Sequence, residues 1–339
     1  MKLRYPRPLR PGDTIGVTSP SSGVQAPMAS RMEVALDALR SRGYDLVVGE
    51  CMAADGPTSA GRTARAAELT AMLTDPAIRA VVPPWGGELA VDLLDQLDWD
   101  ALAAAEPTWL VGFSDLTTLM LPITLRLGWA TLHGSCLMDT PYDPPDGLLH
   151  WTEVASATEP FTQRSPGRYR SEGWDDYVGE PGTSTMTLDA TGSWSVLGDQ
   201  PVDVTGRLVG GCIEVLSPIA ATPYADVPGF GRDHAADGLV VYLEAAESDA
   251  FTIGRALHGL RLAGWFEHTR AVLIGRTGAP DSPGYTQRDA VLDALDGVGV
   301  PVVVDVECGH QQPFLPLVNG ALARVVVDGD RREIIQTFG

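Results

Sequence analysis

Ser114 is the residue whose position most strongly suggests catalysis, because it stands where a predicted strand passes directly into a predicted helix. The strand covers residues 108–112 and the helix covers residues 116–127. A serine on such a turn projects its hydroxyl beyond the sheet, beside the free N–H groups of a helix N-terminus, which stabilise negative charge. That geometry suits a nucleophile with half an oxyanion hole. The match to G-x-S-x-G is incomplete, since Leu116 replaces the final glycine, and Ser114 or Asp115 could instead be an ordinary helix N-cap.

A pair of glycines, Gly86 and Gly87, follows the predicted strand 80–83. Glycine permits close backbone approach and unusual φ angles, which suits a second oxyanion donor. The alternative is a tight turn between a strand and a helix, and the motif alone favours that alternative.

Glu244 ends the apolar strand predicted over 238–244. A carboxylate there is costly unless it is paired or close to solvent, and it could orient a histidine as the third member of a triad. Alternatively it caps the helix that begins near Asp249, and Glu247 is a nearby rival for either role.

His310 lies in a loop after a predicted strand, between glycine and polar residues, where a general base could reach a nucleophile. Together with Glu307 and Cys308 it faintly resembles a metal site, but no second cluster at ligand spacing supports zinc, so we expect no metal. A Cys308–His310 nucleophile pair is weaker still. His133 ends another predicted strand and is expected to line the cleft without acting as the base.

The elements that must position these residues alternate between strand and helix in the first part of the chain. The predicted order is strand 14–18, helix 29–42, strand 44–48, helix 62–73, strand 80–83, helix 89–97, strand 108–112 and helix 116–127. Such alternation predicts a parallel α/β (Rossmann-like) domain covered by helices on both faces. Ligands of such sheets collect beyond the carboxyl ends of the strands.

The remaining chain divides into two parts. Residues 144–203 are rich in Gly, Ser, Thr, Pro and Asp, and we interpret them as an irregular linker and substrate loop after the N-terminal domain, 1–143. Residues 204–339 mix strand and helix signals and end in strands, which predicts a β-rich α+β domain carrying Glu244 and His310.

The composition narrows the class of partner. The chain has 339 residues, 44% hydrophobic and 20% charged, with a formal net charge of -20. That negative charge argues against nucleic acid or an anionic membrane surface as partner, since both bind surfaces rich in Lys and Arg. The first residues do not have the pattern of a signal peptide, and the sequence has no apolar run of membrane-spanning length and no C-x-x-C pair, so we expect a cytoplasmic protein with reduced cysteines.

Taken together, these segments resemble the LD-carboxypeptidase family of serine peptidases over nearly the whole chain. The order and spacing of the matching segments carry the resemblance: 9–17, 19–21, 65–69, 86–87, 112–115, 133–134, 210–211, 243–244 and 309–310. The resemblance implies a Ser-Glu-His triad of Ser114, Glu244 and His310, with oxyanion donors at the backbone N–H groups of Asp115 and of Gly87 or its neighbour. It also implies acyl transfer without a metal or organic cofactor, and commonly a homodimer.

Two details resemble the microcin-immunity branch of that family. One is the segment 310–316. The other is Trp174, which lies where that branch has an aromatic loop that stacks on adenine; we expect Trp174 and Gly86 to contact the substrate. Trp151 or Trp194 could hold the aromatic role instead, and Trp174 could pack against a dimer partner.

This resemblance implies cleavage of peptidyl or aminoacyl adenylates, so the expected partner is a small peptide or peptidyl-nucleotide substrate. The alternatives are removal of the terminal residue from L,D-linked muropeptides in cell-wall recycling, and a non-catalytic protein that binds a small ligand. The last would not require Ser114, Glu244 and His310 to converge.

Overall fold

The computed structural model describes residues 2–53 and 56–338. Its strands are β1 (Thr14–Val17), β2 (Asp45–Val48), β3 (Ile78–Val81), β4 (Trp109–Gly112), β5 (Thr131–His133), β6 (Phe161–Arg164), β7 (Arg168–Tyr169), β8 (Ala190–Thr191), β9 (Ser195–Val196), β10 (Val202–Cys212), β11 (Leu239–Glu244), β12 (Thr269–Gly275), β13 (Val302–Val306), β14 (Leu317–Asn319), β15 (Leu322–Asp328) and β16 (Arg331–Thr337). Its α-helices are α1 (Ala29–Ser41), α2 (Arg62–Thr74), α3 (Trp99–Ala104), α4 (Thr117–Leu127), α5 (Trp151–Ala155), α6 (Ile213–Leu216), α7 (Val227–His234), α8 (Ala250–Leu262) and α9 (Gln287–Leu295).

The N-terminal sheet has the strand order β14-β5-β4-β3-β1-β2. The strands β1 to β5 are parallel, and β14 pairs antiparallel with β5 at one edge. Helices connect the parallel strands, as the alternation in the sequence requires. The predicted parallel α/β domain is therefore confirmed, and the loops that follow β3 and β4 leave the sheet at the same edge.

The larger sheet has the order β6-β16-β15-β10-β11-β12-β13-β9. Its centre, β10 to β13, is parallel, whereas β15, β16, β6 and β9 are attached antiparallel. Every residue of β11 is buried, as expected for a strand covered on both faces. This mixed sheet confirms the predicted β-rich C-terminal α+β domain.

The two sheets share a hydrophobic core. One buried cluster contains Leu110 and Leu119 from the first sheet and its helix α4, together with Val209 and Val241 from the second sheet. The helix α4, which follows β4 of the first sheet, also packs on β10 of the second sheet. The carboxyl end of β4 is therefore held close to the second sheet.

Three local predictions differ from the structure. The helix predicted over 89–97 is only a 3₁₀ turn at Ala90–Leu93. The strand β14 returns to the N-terminal sheet from within the C-terminal region, although the sequence suggested no strand there. The segment 144–203 is more regular than predicted: α5 packs through Trp151 in the core beneath the N-terminal sheet, β6 and β9 pair at the two edges of the larger sheet, and β7 pairs with β8. Among the described residues, no helix is long and apolar enough to cross a membrane.

Candidate active site

Ser114 occupies a strained turn directly after β4. Its φ angle is 62°, in the left-handed region that side chains other than glycine rarely adopt. A 3₁₀ turn over Ser114–Leu116 leads straight into α4, so the hydroxyl is carried beyond the end of the sheet. Backbone strain of this kind costs about 1–3 kcal/mol and persists where the surroundings enforce it, commonly at functional sites.

The structure brings Ser114, His310 and Glu244 into one chain of hydrogen bonds. Nε2 of His310 lies 2.9 Å from Oγ of Ser114, and Nδ1 of His310 lies 2.8 Å from Oε2 of Glu244. The residues come from three places: the end of β4, the loop after β13 and the end of β11. The arrangement leaves Nε2 free to accept the serine proton when Nδ1 donates to the carboxylate.

Electrostatics favour an ionised Glu244 and a basic His310. Burial alone would raise the pKa of Glu244, but the positive charge of His310 and hydrogen bonding from histidine outweigh it and lower that pKa to about 2. For His310, burial lowers the pKa, whereas the charge and the hydrogen bond of Glu244 raise it above the ordinary value. The imidazole is therefore a stronger base than a free histidine.

Gly86 is pressed against the Ser114 turn. A Cβ placed on Gly86 would lie 2.8 Å from Cβ of Ser114 and 3.0 Å from the backbone nitrogen of Asp115. Gly87 has a φ of +143°, and a Cβ there would meet the hydroxyl oxygens of Ser21 and Ser22 at 2.4 Å. Both glycines are therefore required sterically, and Gly86 brings the loop after β3 against the Ser114 turn.

The backbone N–H groups of Asp115 and Gly87 are available as hydrogen-bond donors. Neither makes a hydrogen bond to another residue in the described part of the chain. Asp115 directly follows Ser114, and Gly87 lines both cavities that Ser114 lines, so their N–H groups are candidates to hold the oxygen of a carbonyl bound beside Ser114.

The side chain of Asp115 has a structural task that the sequence did not indicate. Its Oδ2 accepts hydrogen bonds from the Ser21 hydroxyl at 2.6 Å and from the backbone N–H of Ala90 at 2.7 Å. Burial raises the pKa of this carboxyl, and these hydrogen bonds partly offset the rise. Asp115 thus ties the Ser114 turn to the loops that follow β1 and β3.

Glu214 is a second anchor that sequence reasoning missed. Its Oε1 accepts the backbone N–H groups of Ala246, Glu247 and Ser248 at 2.9, 3.1 and 3.2 Å. These residues form the loop directly after Glu244, so Glu214 fixes the chain as it leaves β11. Glu247 itself is exposed, and Asp249 caps α8 by accepting the N–H of Thr252, so neither competes with Glu244.

Two cavities meet at Ser114, His310 and Trp174. The larger, of about 550 Å³, also reaches Cys212 and the loop after Glu244, and the smaller, of about 300 Å³, lies against Phe113 and Tyr177. Trp174 is 47% exposed and stacks on Phe314 with ring centroids 6.4 Å apart. Its indole therefore stands between the two cavities with much of its surface uncovered.

The segment that carries Trp174 is fastened on both sides. Asp175 accepts hydrogen bonds from Tyr142 and from Arg170, and Tyr177 donates to Asp139 at 2.7 Å. Ser171 also accepts a hydrogen bond from the side chain of Gln311, next to His310. The aromatic loop is thereby tied to the loop that carries His310.

The other two tryptophans of residues 144–203 do not reach the cleft. Trp151 and Trp194 are each 1% exposed. The indole N–H of Trp151 donates to Thr140, and that of Trp194 donates to Glu307. Burial and saturated hydrogen bonding leave Trp174 as the member of this trio that lines the cleft.

Most of the charged residues that line the larger cavity are acidic. Glu88, Glu172, Glu214 and Glu247 line it, whereas its arginine, Arg170, is paired with Asp175. Burial and the neighbouring charges of Glu247, Asp115 and Glu214 raise the pKa of Glu88. Positively charged groups in a ligand would therefore be favoured in this cavity.

One group of potential metal ligands occurs among the described residues. A ligand atom from each of Cys212, Glu244 and His310 lies within 4.8 Å of the others. Both nitrogens of His310 are engaged by Glu244 and Ser114, and burial keeps the pKa of the Cys212 thiol well above its ordinary value. A metal would have to displace these hydrogen bonds and deprotonate a buried thiol. The Glu307–Cys308–His310 grouping does not converge, because Glu307 is bonded to Trp194 and Ser165.

Two family profiles match the chain on either side of the cleft. The LD-carboxypeptidase N-terminal domain matches residues 15–134, and the LD-carboxypeptidase C-terminal domain matches residues 205–325. A relative from Streptomyces coelicolor, whose own carboxypeptidase assignment is inferred, is 32% identical over 333 residues; the alignment covers 96% of this chain and 94% of the relative. The chain belongs to the LD-carboxypeptidase family.

Within the LD-carboxypeptidase family, the chain is also similar to the microcin C7 self-immunity protein MccF of Escherichia coli. The identity is 26% over 339 residues, covering 96% of this chain and 94% of MccF. A solved structure of MccF in complex with aspartyl sulfamoyl adenosine has a TM-score of 0.82 at 24% identity, over 100% of this chain and 99% of the other. That likeness establishes that the fold is shared from end to end.

Proposed function

We propose that this protein is a serine hydrolase that cleaves the bond between an aminoacyl or peptidyl group and a nucleotide-like moiety. The observation that carries the proposal is the hydrogen-bonded chain from Glu244 through His310 to Ser114, which opens into a cleft lined by the exposed indole of Trp174. A small-ligand binding protein would have no use for this convergence, so the geometry favours the hydrolase.

The first half of the reaction is acylation of Ser114. Oγ of Ser114 attacks the scissile carbonyl carbon while Nε2 of His310 takes the hydroxyl proton. The carbonyl oxygen becomes an oxyanion that accepts hydrogen bonds from the N–H groups of Asp115 and Gly87. Glu244 stabilises the imidazolium, which then donates its proton to the leaving atom as that atom's bond to the carbonyl carbon breaks. In an aminoacyl sulfamoyl adenosine the leaving atom is the sulfamoyl nitrogen.

The second half is hydrolysis of the acyl-enzyme. Water loses a proton to His310 and attacks the ester carbonyl, and the serine oxygen leaves with that proton. Every proton transfer in both halves uses the same imidazole, so the scheme needs neither a metal ion nor an organic cofactor.

Trp174 supports a nucleotide-like leaving group. An indole with an uncovered face beside the nucleophile offers stacking worth about 1–3 kcal/mol per base. The related MccF has been solved with aspartyl sulfamoyl adenosine, a molecule that joins an aminoacyl group to a nucleoside. The description of the family as LD-carboxypeptidases supports a second candidate, hydrolysis of L,D-peptide bonds in muropeptides. For that reaction Trp174 would be a packing residue.

The test is hydrolysis of two substrates by the purified protein, followed by chromatography of the products. One substrate is an aminoacyl sulfamoyl adenosine, and the other is a cell-wall tetrapeptide with a terminal L,D bond. We expect cleavage of the sulfamoyl adenosine to be preferred. Preference for the tetrapeptide would replace this function with the muropeptide activity, and no turnover of either would contradict the hydrolase proposal.

We further propose that the protein acts as a homodimer in the cytoplasm. The family resemblance supports the dimer, and the four cysteines, all buried and unpaired, suit a reducing compartment. Light scattering coupled to size-exclusion chromatography measures the oligomeric state. A mass of one chain at micromolar concentration would contradict the homodimer.

A further inference from the structure

The carboxylate of Glu244 has one oxygen that the Ser114–His310 chain does not use. Oε2 accepts the hydrogen bond from His310, whereas Oε1 has no hydrogen-bond partner within residues 2–53 and 56–338. The side chain is completely buried. A buried anionic oxygen without a donor is costly, so the groups closest to Oε1 are candidates for a role.

His133 is the group that faces this oxygen. Its Nε2 lies 3.9 Å from Oε1 of Glu244, and its side chain is 2% exposed. Neither ring nitrogen of His133 has a hydrogen-bond partner in the described part of the chain. Two unsatisfied partners, a buried imidazole and a buried carboxylate oxygen, therefore point at each other across a gap about 1 Å longer than a hydrogen bond.

The ring of His133 is held by aromatic packing. Tyr242 meets it edge-on at 5.2 Å between centroids, and Phe113, next to the nucleophile, does so at 6.3 Å. The hydroxyl of Tyr242 is engaged with Asn319 and does not compete for the imidazole. The remaining titratable neighbours of Glu244, Cys212 and Cys308, are thiols whose pKa values burial raises well above the ordinary value, so they supply no charge.

The position of His133 in the sheet links the two halves of the site. It is the last residue of β5 and pairs with Gly112, two residues before Ser114. Glu244 ends β11 of the other sheet. A contact from His133 to Glu244 therefore joins the sheet that carries the nucleophile to the strand that carries the carboxylate.

We propose that His133 is a positioning residue that donates its Nε2–H to Oε1 of Glu244 and so holds Oε2 toward His310. Hydrogen bonds in unliganded sites are commonly long and tighten in the substrate complex, which fits the 3.9 Å separation. The inference rests on the proposed hydrolase function. The competing explanation is that His133 merely fills space beneath Glu244.

The test compares two substitutions at one position. His133→Phe keeps a flat ring of similar size and removes the donor, whereas His133→Gln places an amide N–H near the position of Nε2. We expect His133→Phe to lower kcat by about 10- to 100-fold, as for loss of a hydrogen bond to a charged group, with KM within about twofold. His133→Gln restores most of the rate. His150→Phe is the matched control, because His150 is also buried but is bonded to Thr140 and Thr152, away from the cleft.

The pH dependence separates positioning from packing. In His133→Phe, a carboxylate of Glu244 that is no longer held toward His310 raises the pKa of His310 less. The acid limb of kcat/KM therefore moves to lower pH in His133→Phe and stays in place in His150→Phe. Equal kcat and an unmoved acid limb in His133→Phe, or equal damage by Phe and Gln, would overturn the inference.

A second readout does not depend on the substrate. The low-field proton resonance of Nδ1–H in His310, followed by NMR through a pH titration, reports its bond to Glu244 directly. We expect that resonance to shift and its titration to move to lower pH in His133→Phe. An unchanged resonance would contradict the role of His133, whereas absence of turnover by the wild-type protein would contradict the proposed function itself.

Discussion

Oγ of Ser114 and Nε2 of His310 lie 2.9 Å apart although 196 residues separate them in the chain. The packing of α4 on β10 makes this possible. The backbone N–H of Cys212 donates to the Thr117 hydroxyl, which itself donates to the carbonyl of Ser114. The Ser114 turn is thus hydrogen-bonded to the end of β10, which pairs with β11, the strand that ends at Glu244.

Neutralising Glu244 should change both the rate and its pH dependence. His310 must be neutral to accept the serine proton, and Glu244 raises its pKa, so activity rises as pH increases through that raised value. Glu244→Gln removes the charge, which moves the acid limb of kcat/KM to lower pH and lowers the plateau by about 10⁴-fold. Rate measurements across pH check this. Glu106 is an exposed carboxylate that lines neither cavity, so Glu106→Gln should leave the pH profile unchanged. An acid limb that does not move in Glu244→Gln would contradict the role of Glu244.

The same carboxylate gives a prediction for stability. The pKa of Glu244 is lowered from its ordinary value to about 2 in the folded protein. A group with a depressed folded-state pKa stabilises the fold above its unfolded value and loses that contribution as pH falls toward the folded value. The free energy of unfolding of the wild type should therefore fall between about pH 4.5 and 2, and fall less steeply in Glu244→Gln. Urea titrations at several pH values measure the difference, and parallel curves would be inconsistent with it.

Adding one methyl group at Gly86 should disable the nucleophile. A Cβ there would lie 2.8 Å from Cβ of Ser114, so the turn must shift. A displacement of about 1 Å at the reacting atoms costs about 100-fold in rate. Gly61→Ala is the matched control, because its Cβ would meet nothing within 4 Å and its φ of −59° suits any residue. Steady-state kinetics with equal rates in both variants would show that Gly86 is not close to the reaction.

Removing the indole of Trp174 should weaken substrate binding and leave the fold intact. Loss of a stacking interaction of about 1–3 kcal/mol corresponds to a KM increase of about 5- to 150-fold in Trp174→Ala, with Trp174→Phe intermediate. Since Trp174 is 47% exposed, the melting temperature should change little. Trp151→Ala, by contrast, removes a buried side chain and should lower the melting temperature sharply. An unchanged KM in Trp174→Ala would remove the evidence for a base at this position.

The acidic border of the larger cavity predicts selectivity for the aminoacyl side chain. A lysyl substrate should have a higher kcat/KM than an aspartyl one, and added salt should reduce the difference because exposed charges are screened. Glu247→Gln and Glu88→Gln should each reduce the preference by up to about fivefold, the value of an exposed ion pair. Competition between the two substrates in one reaction measures the ratio directly. An aspartyl preference would show that other groups set the selectivity.

The positions of the candidate triad residues could be predicted because each lies at the end of a strand or shortly after it. Ser114, Glu244 and His310 follow apolar runs whose length and composition indicate buried strands, and the carboxyl ends of parallel strands are where ligands collect. The α/β class followed from the same alternation. The choice of Ser114 over an ordinary helix cap came from the resemblance, since the local motif lacks the final glycine.

Other features depend on contacts that no local pattern encodes. β14 joins the N-terminal sheet through three residues, Leu317–Asn319, too few to show a period. Trp174 and Trp194 both lie in the irregular segment 144–203, yet Trp174 is exposed whereas Trp194 packs in a hydrophobic cluster and donates its N–H to Glu307. His133 and Glu244 lie on different sheets and 111 positions apart in the chain, so only the fold shows that they are close.

The most direct test of the account is the hydrolysis of aminoacyl sulfamoyl adenosine by the wild-type protein and by Ser114→Ala, with substrate binding measured in parallel by calorimetry. We expect Ser114→Ala to bind the substrate within a few-fold of the wild type and to lose turnover by about 10⁴-fold or more, because the nucleophile is gone while the cleft and Trp174 are intact. Turnover by Ser114→Ala within about tenfold of the wild type would contradict the assignment of Ser114 as the nucleophile.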